Sequence, residues 1–109
     1  MRWFAYNGDA DGICSMVQWG LVHGIDGNRI TGVKRDIELL KNINAEPGDE
    51  IIVMDISLAR NHDTAREYAE KGVSIKWFDH HLEGQDIPEI ESHIDTSSTT
   101  CTARIVENY

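Results

Sequence analysis

Ile51-Ile52-Val53-Met54 is an unbroken apolar run, preceded by the breaker Pro47-Gly48 and closed by Asp55. Four residues are too few for a core helix. A strand apolar at both alternate positions must be buried on both faces, as in the middle of a parallel sheet. Parallel neighbours need crossover connections, and helices usually supply them. The rest of the chain provides them in order. Residues 2–7 read as a first strand, and 12–23 as a helix ended by Gly24. Its Ile13, Met16, Val17, Leu21 and Val22 recur at the spacing of a helix face. After a turn over 24–28, a short second strand covers Arg29 to Lys34, and Asp36 caps a helix carrying Ile37, Leu39 and Leu40. Beyond the third strand, Ser57 or Asn61 caps a helix with the charge pairs Asp63/Glu67 and Arg66/Glu70, with Gly72 past its end. Val73 to Phe78 is the fourth strand. A loop with Pro88 leads to an extended piece near Ser92 to Ile94, and Thr96 to Thr100 offer caps for a last helix. The expectation is an α/β fold: a parallel sheet of four to five strands with helices on both faces, a Rossmann-like three-layer sandwich. The strand order is about 2-1-3-4, reversing between strands one and three.

A chain of 109 residues makes one small domain spanning 1–109. It contains neither a long apolar run nor a basic-then-apolar leader. Two cysteines are too few for a disulfide framework and point to a reducing compartment, the cytoplasm by default. The net charge of −9 argues against a broad grip on nucleic acid. An anionic substrate would then need metal ions or a local group of basic residues. The sharpest charge bias lies between Asp79 and Asp95, with six acidic residues and no Lys or Arg.

Between the first strand and its helix stands Asn7-Gly8-Asp9-Ala10-Asp11-Gly12. Three oxygen-bearing side chains alternate there, and crowded like charges are commonly relieved by a divalent cation. An EF-hand places Asn7, Asp9, Asp11, Gly12 and Gln18 on its loop positions, but it needs a preceding helix and a bidentate Glu where Gln18 stands. The plainer alternative is an acidic helix N-terminus without a ligand, favourable in its own right.

The other strands weigh on that choice. Ligands of open parallel sheets bind beyond the carboxyl ends of the strands, where strand order reverses. Strand three ends at Asp55 and strand four at Asp79-His80-His81, at the same edge as Asn7, Asp9 and Asp11. Carboxylates and imidazoles together suit Mn²⁺, or Mg²⁺ with less nitrogen ligation. Lys34 and Arg35 end the second strand at this edge, where they read as phosphate contacts or as a solvated turn.

The ordered set resembles the DHH phosphoesterase family, RecJ-like proteins included. Asn7-Gly-Asp9-Ala-Asp11-Gly12 is similar to its first motif, Asp55 in Ile-Val-Met-Asp to its second, and Asp79-His80-His81 to the triplet that names it. Ser97-Ser98-Thr99 resembles a further segment, so the likeness spans about residues 2–109. It implies a dinuclear, usually Mn²⁺, hydrolase of phosphodiesters or phosphomonoesters in nucleotides or short oligonucleotides. By position, Asp9 would bind one ion and Asp11 the other, Asp55 would bridge them and His80 would complete one shell. His81 would meet the substrate phosphate, and Asp79 would orient the histidines. Such ions sit roughly 3.5–4 Å apart and activate a bridging water. Two departures stand out. The family usually has His where Asn7 stands, making Asn7 a weak ligand. A later aspartate ligand has no counterpart, since Asp86 and Asp95 fall too early. The chain therefore reads as the front part of a DHH domain, without the family's second domain. The rival reading is a metal- or nucleotide-binding module without turnover, or an inactive fragment lacking the later aspartate ligand, and with each metal shell a ligand short this chain alone is expected to cleave phosphoesters weakly or not at all.

The remaining residues have plain readings. His23, His62 and His93 are surface or loop histidines, Cys14 is a packed thiol on the core face of the first helix, and Trp3, Trp19, Trp77 and Phe78 are core aromatics.

Overall fold

The structure is a computed structural model, which describes residues 2–32, 40, 43–80, 87, 89–95 and 101–109, without the side chains of 59 and 60. The described elements are β1 (Arg2–Asn7), α1 (Ala10–His23), β2 (Asn28–Gly32), β3 (Glu50–Met54), α2 (Leu58–Glu70), β4 (Ser74–Asp79), β5 (Glu91–Ile94) and α3 (Thr102–Asn108). They form an all-parallel sheet in the order β2-β1-β3-β4-β5. The expected order holds for the first four strands. The extended piece near Ser92 is a fifth, which pairs Phe78 with His93 and Asp79 with Ile94. β2 begins at Asn28 and its described part ends at Gly32, short of Lys34, while the helix expected after Asp36 lies outside the described residues, Leu40 apart.

Alternation along the strands divides the core between the two faces of the sheet. Ile51 and Val53 of β3, with Ile75 and Trp77 of β4, pack against Leu58, Ala65 and Tyr68 of α2. Ile52, Met54, Phe4 and Phe78 pack on the other face against Met16 and Trp19 of α1 and Val106 of α3. With all four residues from Ile51 to Met54 fully buried, β3 is a central strand covered on both sides. Two polar side chains of the α2 layer are tied to backbone carbonyls. Trp77 Nε1 donates to the Ile56 carbonyl at 2.8 Å, and the Tyr68 hydroxyl donates to the Ile43 carbonyl. Ser57 is the N-cap of α2, and Asn61, a turn inside it, donates to the Ser57 carbonyl at 2.9 Å.

Helix α1 departs from the expected facing. It starts at Ala10 rather than residue 12, capped by the Asp9 carboxylate, which accepts from Gly12 N at 3.0 Å. Its buried residues are Gly12, Ser15, Met16 and Trp19; Ile13, Val17, Leu21 and Val22 face solvent, Leu21 at 75% exposure. Cys14 is exposed as well, so the packed-thiol reading is corrected. The rotation follows from Gly12, whose Cα approaches β1 so closely that a Cβ would lie 1.9 Å from the Asn7 carbonyl oxygen. Only a residue without a side chain fits there, and this turns the Gly12 face inward at the expense of the larger apolar stripe. Trp19, Trp77 and Phe78 are buried as expected, whereas Trp3 is half-buried and its Nε1 donates to Asp49 at 3.3 Å. His23 is exposed on α1 and His62 half-buried on α2. His93 lies in β5 and stacks on Phe78 at 5.0 Å, within a strand rather than a loop.

Candidate metal centre

Because β1, β3 and β4 are parallel neighbours, their carboxyl ends and the residues leaving them lie at one edge of the sheet. After β1 come Asp9, the cap of α1, and Asp11 in its first turn. The loop is held by the Asn7 side-chain carbonyl, which accepts from Asp9 N at 3.3 Å. Ser15, fully buried, donates its hydroxyl to the Asp11 carbonyl at 2.7 Å. After β3 comes Asp55, whose N–H continues the ladder to the Phe78 carbonyl at 2.9 Å while its own φ is +61°. That left-handed turn is one aspartate tolerates better than β-branched residues do. After β4 comes His80, next to Asp79 at the strand's buried end.

Among the described residues, the ligand atoms of Asp11, Asp55 and His80 lie within 4.8 Å of one another. His80 Nε2 stands 3.2 Å from Asp11 Oδ2 and 3.3 Å from Asp55 Oδ1. The start of α3 closes the group. Asp11 accepts from Thr102 N at Oδ2 (3.1 Å) and from Ala103 N at Oδ1 (3.0 Å). The Thr102 hydroxyl donates to Asp55 Oδ1 at 3.0 Å. Asp55 is 1% exposed, and its carboxyl is pushed up to about 8. Burial is the main cause, followed by a hydrogen bond to Asp9 and the charges of Asp11 and Asp9, with Thr102 pulling the other way. A buried carboxyl that cannot readily ionise beside two others is where a cation lowers the energy most. The donor set of two carboxylates and one imidazole fits a divalent ion of the Mn²⁺ or Mg²⁺ kind.

The structure thus brings Asp11, Asp55 and His80 together, with Asp9 in contact with Asp55. Asn7 holds the loop through Asp9 N, and Asp79 is fully buried, with its carbonyl accepting from Asp95 N at 3.1 Å. His81, Lys34, Arg35 and the Ser97-Ser98-Thr99 segment lie outside the described residues. The strand-to-helix setting of Asp9 and Asp11 removes the EF-hand, since β1 stands where that motif needs a helix. Sequence reasoning missed Thr102 and the backbone of Ala103. The Thr-rich run signalled a helix start, but nothing local in it points to Asp11, 91 residues away.

No curated protein and no solved structure matches the chain. The profile of the DHH family, N-terminal domain, matches residues 3–109, a span that holds the loop after β1, Asp55 and the Asp79-His80-His81 triplet. On this match, with three of those acidic and histidine side chains gathered at one sheet edge, the chain belongs to the DHH family of metal-dependent phosphoesterases.

Proposed function

We propose that this domain hydrolyses phosphodiester or phosphomonoester bonds of nucleotides or short oligonucleotides with Mn²⁺ as its cofactor. The observation that carries the reading is the convergence of Asp11, Asp55 and His80 around a carboxyl that burial and its neighbours hold protonated near neutrality. Asp11 and His80 would hold one ion, Asp9 and weakly Asn7 a second, and Asp55 would serve both. When bound, such ions supply positive charge to the phosphoryl oxygens and a water activated at neutral pH. The chain's own part is orientation. The Thr102 and Ala103 N–H groups fix the plane of the Asp11 carboxylate, and the backbone turn at Asp55 aims its side chain into the group. His81, Lys34 and Arg35 would meet the substrate phosphate, and Asp79 would orient the histidines. Cys14 and Cys101, both exposed and not joined in a disulfide, suit a reducing compartment such as the cytoplasm.

The test is Mn²⁺-dependent cleavage of a generic phosphodiester and of a short oligonucleotide. The expected result is release of product that stops on chelation and returns with Mn²⁺. Mn²⁺ binding without cleavage of either compound would favour the rival reading, a binding module without turnover.

A further inference from the structure

Thr102 touches two carboxylates of the candidate centre, Asp11 and Asp55, through different parts of itself. Its backbone N–H reaches Asp11 Oδ2 at 3.1 Å and its hydroxyl reaches Asp55 Oδ1 at 3.0 Å. The residue is fully buried, so no bulk water competes for the hydroxyl. Asp55 Oδ1 is also the oxygen nearest His80 Nε2 on that carboxylate, at 3.3 Å. We propose that Thr102 is a positioning residue: it sets the separation and orientation of Asp11 and Asp55, and so preforms the cation site from α3.

Groups that orient ligating carboxylates typically change metal affinity by about 10–100-fold when removed. The cause is geometric. Asp55 can rotate about its own side chain, and its left-handed backbone position does not by itself fix that rotation. The Thr102 hydroxyl pins one of its oxygens, and the N–H of the same residue pins one of Asp11, so a single rigid unit spaces the pair. Losing the hydroxyl frees Asp55 while leaving the hold on Asp11 intact.

This inference rests on the Mn²⁺ reading of the site, and the experiment separates the two. Mn²⁺ affinity is measured without substrate, from the electron paramagnetic resonance signal of free Mn²⁺ during titration of the 109-residue chain. The proteins compared are wild type, Thr102→Val, Thr102→Ser, Thr102→Ala and Asp55→Asn. Valine keeps the shape of threonine without the hydroxyl. Serine and alanine differ from each other only in the hydroxyl, so their ratio holds should the valine protein fold poorly. The expected result is a Kd at least ~10-fold weaker for valine and for alanine than for wild type, with serine restoring most of the loss. Equal affinity of serine and alanine, with binding still lost in Asp55→Asn, would overturn the role of Thr102 and leave the metal reading standing. Absence of Mn²⁺ binding by wild type itself would overturn both.

Discussion

Asp55→Asn is expected to remove most of the thermal stabilisation that Mn²⁺ confers and to cut phosphoester cleavage at least ~100-fold, a loss in keeping with the several kcal/mol that metal-ion charge stabilisation supplies. The carboxylate of Asp55 is in contact with Asp9 and close to both Asp11 and His80. An amide keeps its size but offers a single neutral oxygen, too little to serve two cations. A ligand that binds only the folded state stabilises it by about 2.7 kcal/mol at a hundredfold excess over Kd. The measurement is the melting temperature with and without Mn²⁺, for both proteins at the same pH. An unchanged Mn²⁺ response in Asp55→Asn would remove this residue from the site.

The second large effect concerns the metal-free protein and has the opposite sign. The Asp55 carboxyl titrates at about 8 when folded and near its ordinary value of 3.8 when unfolded. Between those values the folded state holds a proton that the unfolded state has released. Stability from this group is therefore complete below about 3.8, declines as pH rises, and is lost once pH passes about 8. Among the described residues, the side chains facing it are Asp9, Asp11, His80 and Thr102, so the slope is read as a difference between proteins rather than from wild type alone. Asp55→Asn carries no such proton. Without metal at pH 8, it should melt higher than wild type by more than one pKa unit's worth, about 1.4 kcal/mol. That is at least ~4 °C for a domain of this size. At pH 4 the two should converge. Thermal melts in a chelating buffer across that range check this, and parallel curves for the two proteins would contradict it. Asparagine at position 55 would thus stabilise the empty domain while disabling the loaded one, as expected where a fold stores repulsion for a ligand to relieve.

The parts of this molecule legible in its sequence are those set by local pattern. Ile51 to Met54 can be satisfied only inside a sheet, and that fixed the parallel class, the central strand and the edge at which Asp55 emerges. Helix α1 misled because two rules compete along it. Burial alone would favour the stripe of Ile13, Val17 and Leu21, yet the helix is docked by Gly12 against the Asn7 carbonyl and by the Asp9 cap. Packing of the acidic loop onto β1 overrides the hydrophobic period, and the cost is an exposed apolar face. Thr102 was illegible for another reason. Its partners are Asp11 and Asp55, 91 and 47 residues away, and only the docking of α3 beside α1 brings them within reach.

A cation held by Asp11, Asp55 and His80 is the claim on which the rest depends. The measurement that bears on it most directly is an anomalous-difference map from crystals of the protein grown with Mn²⁺, recorded at the manganese edge. The expected result is a peak bounded by the Asp11 and Asp55 carboxylates and His80 Nε2, at the edge of the sheet where β1, β3 and β4 end. A map with no peak there, and His80 still lying directly against both carboxylates, would contradict it.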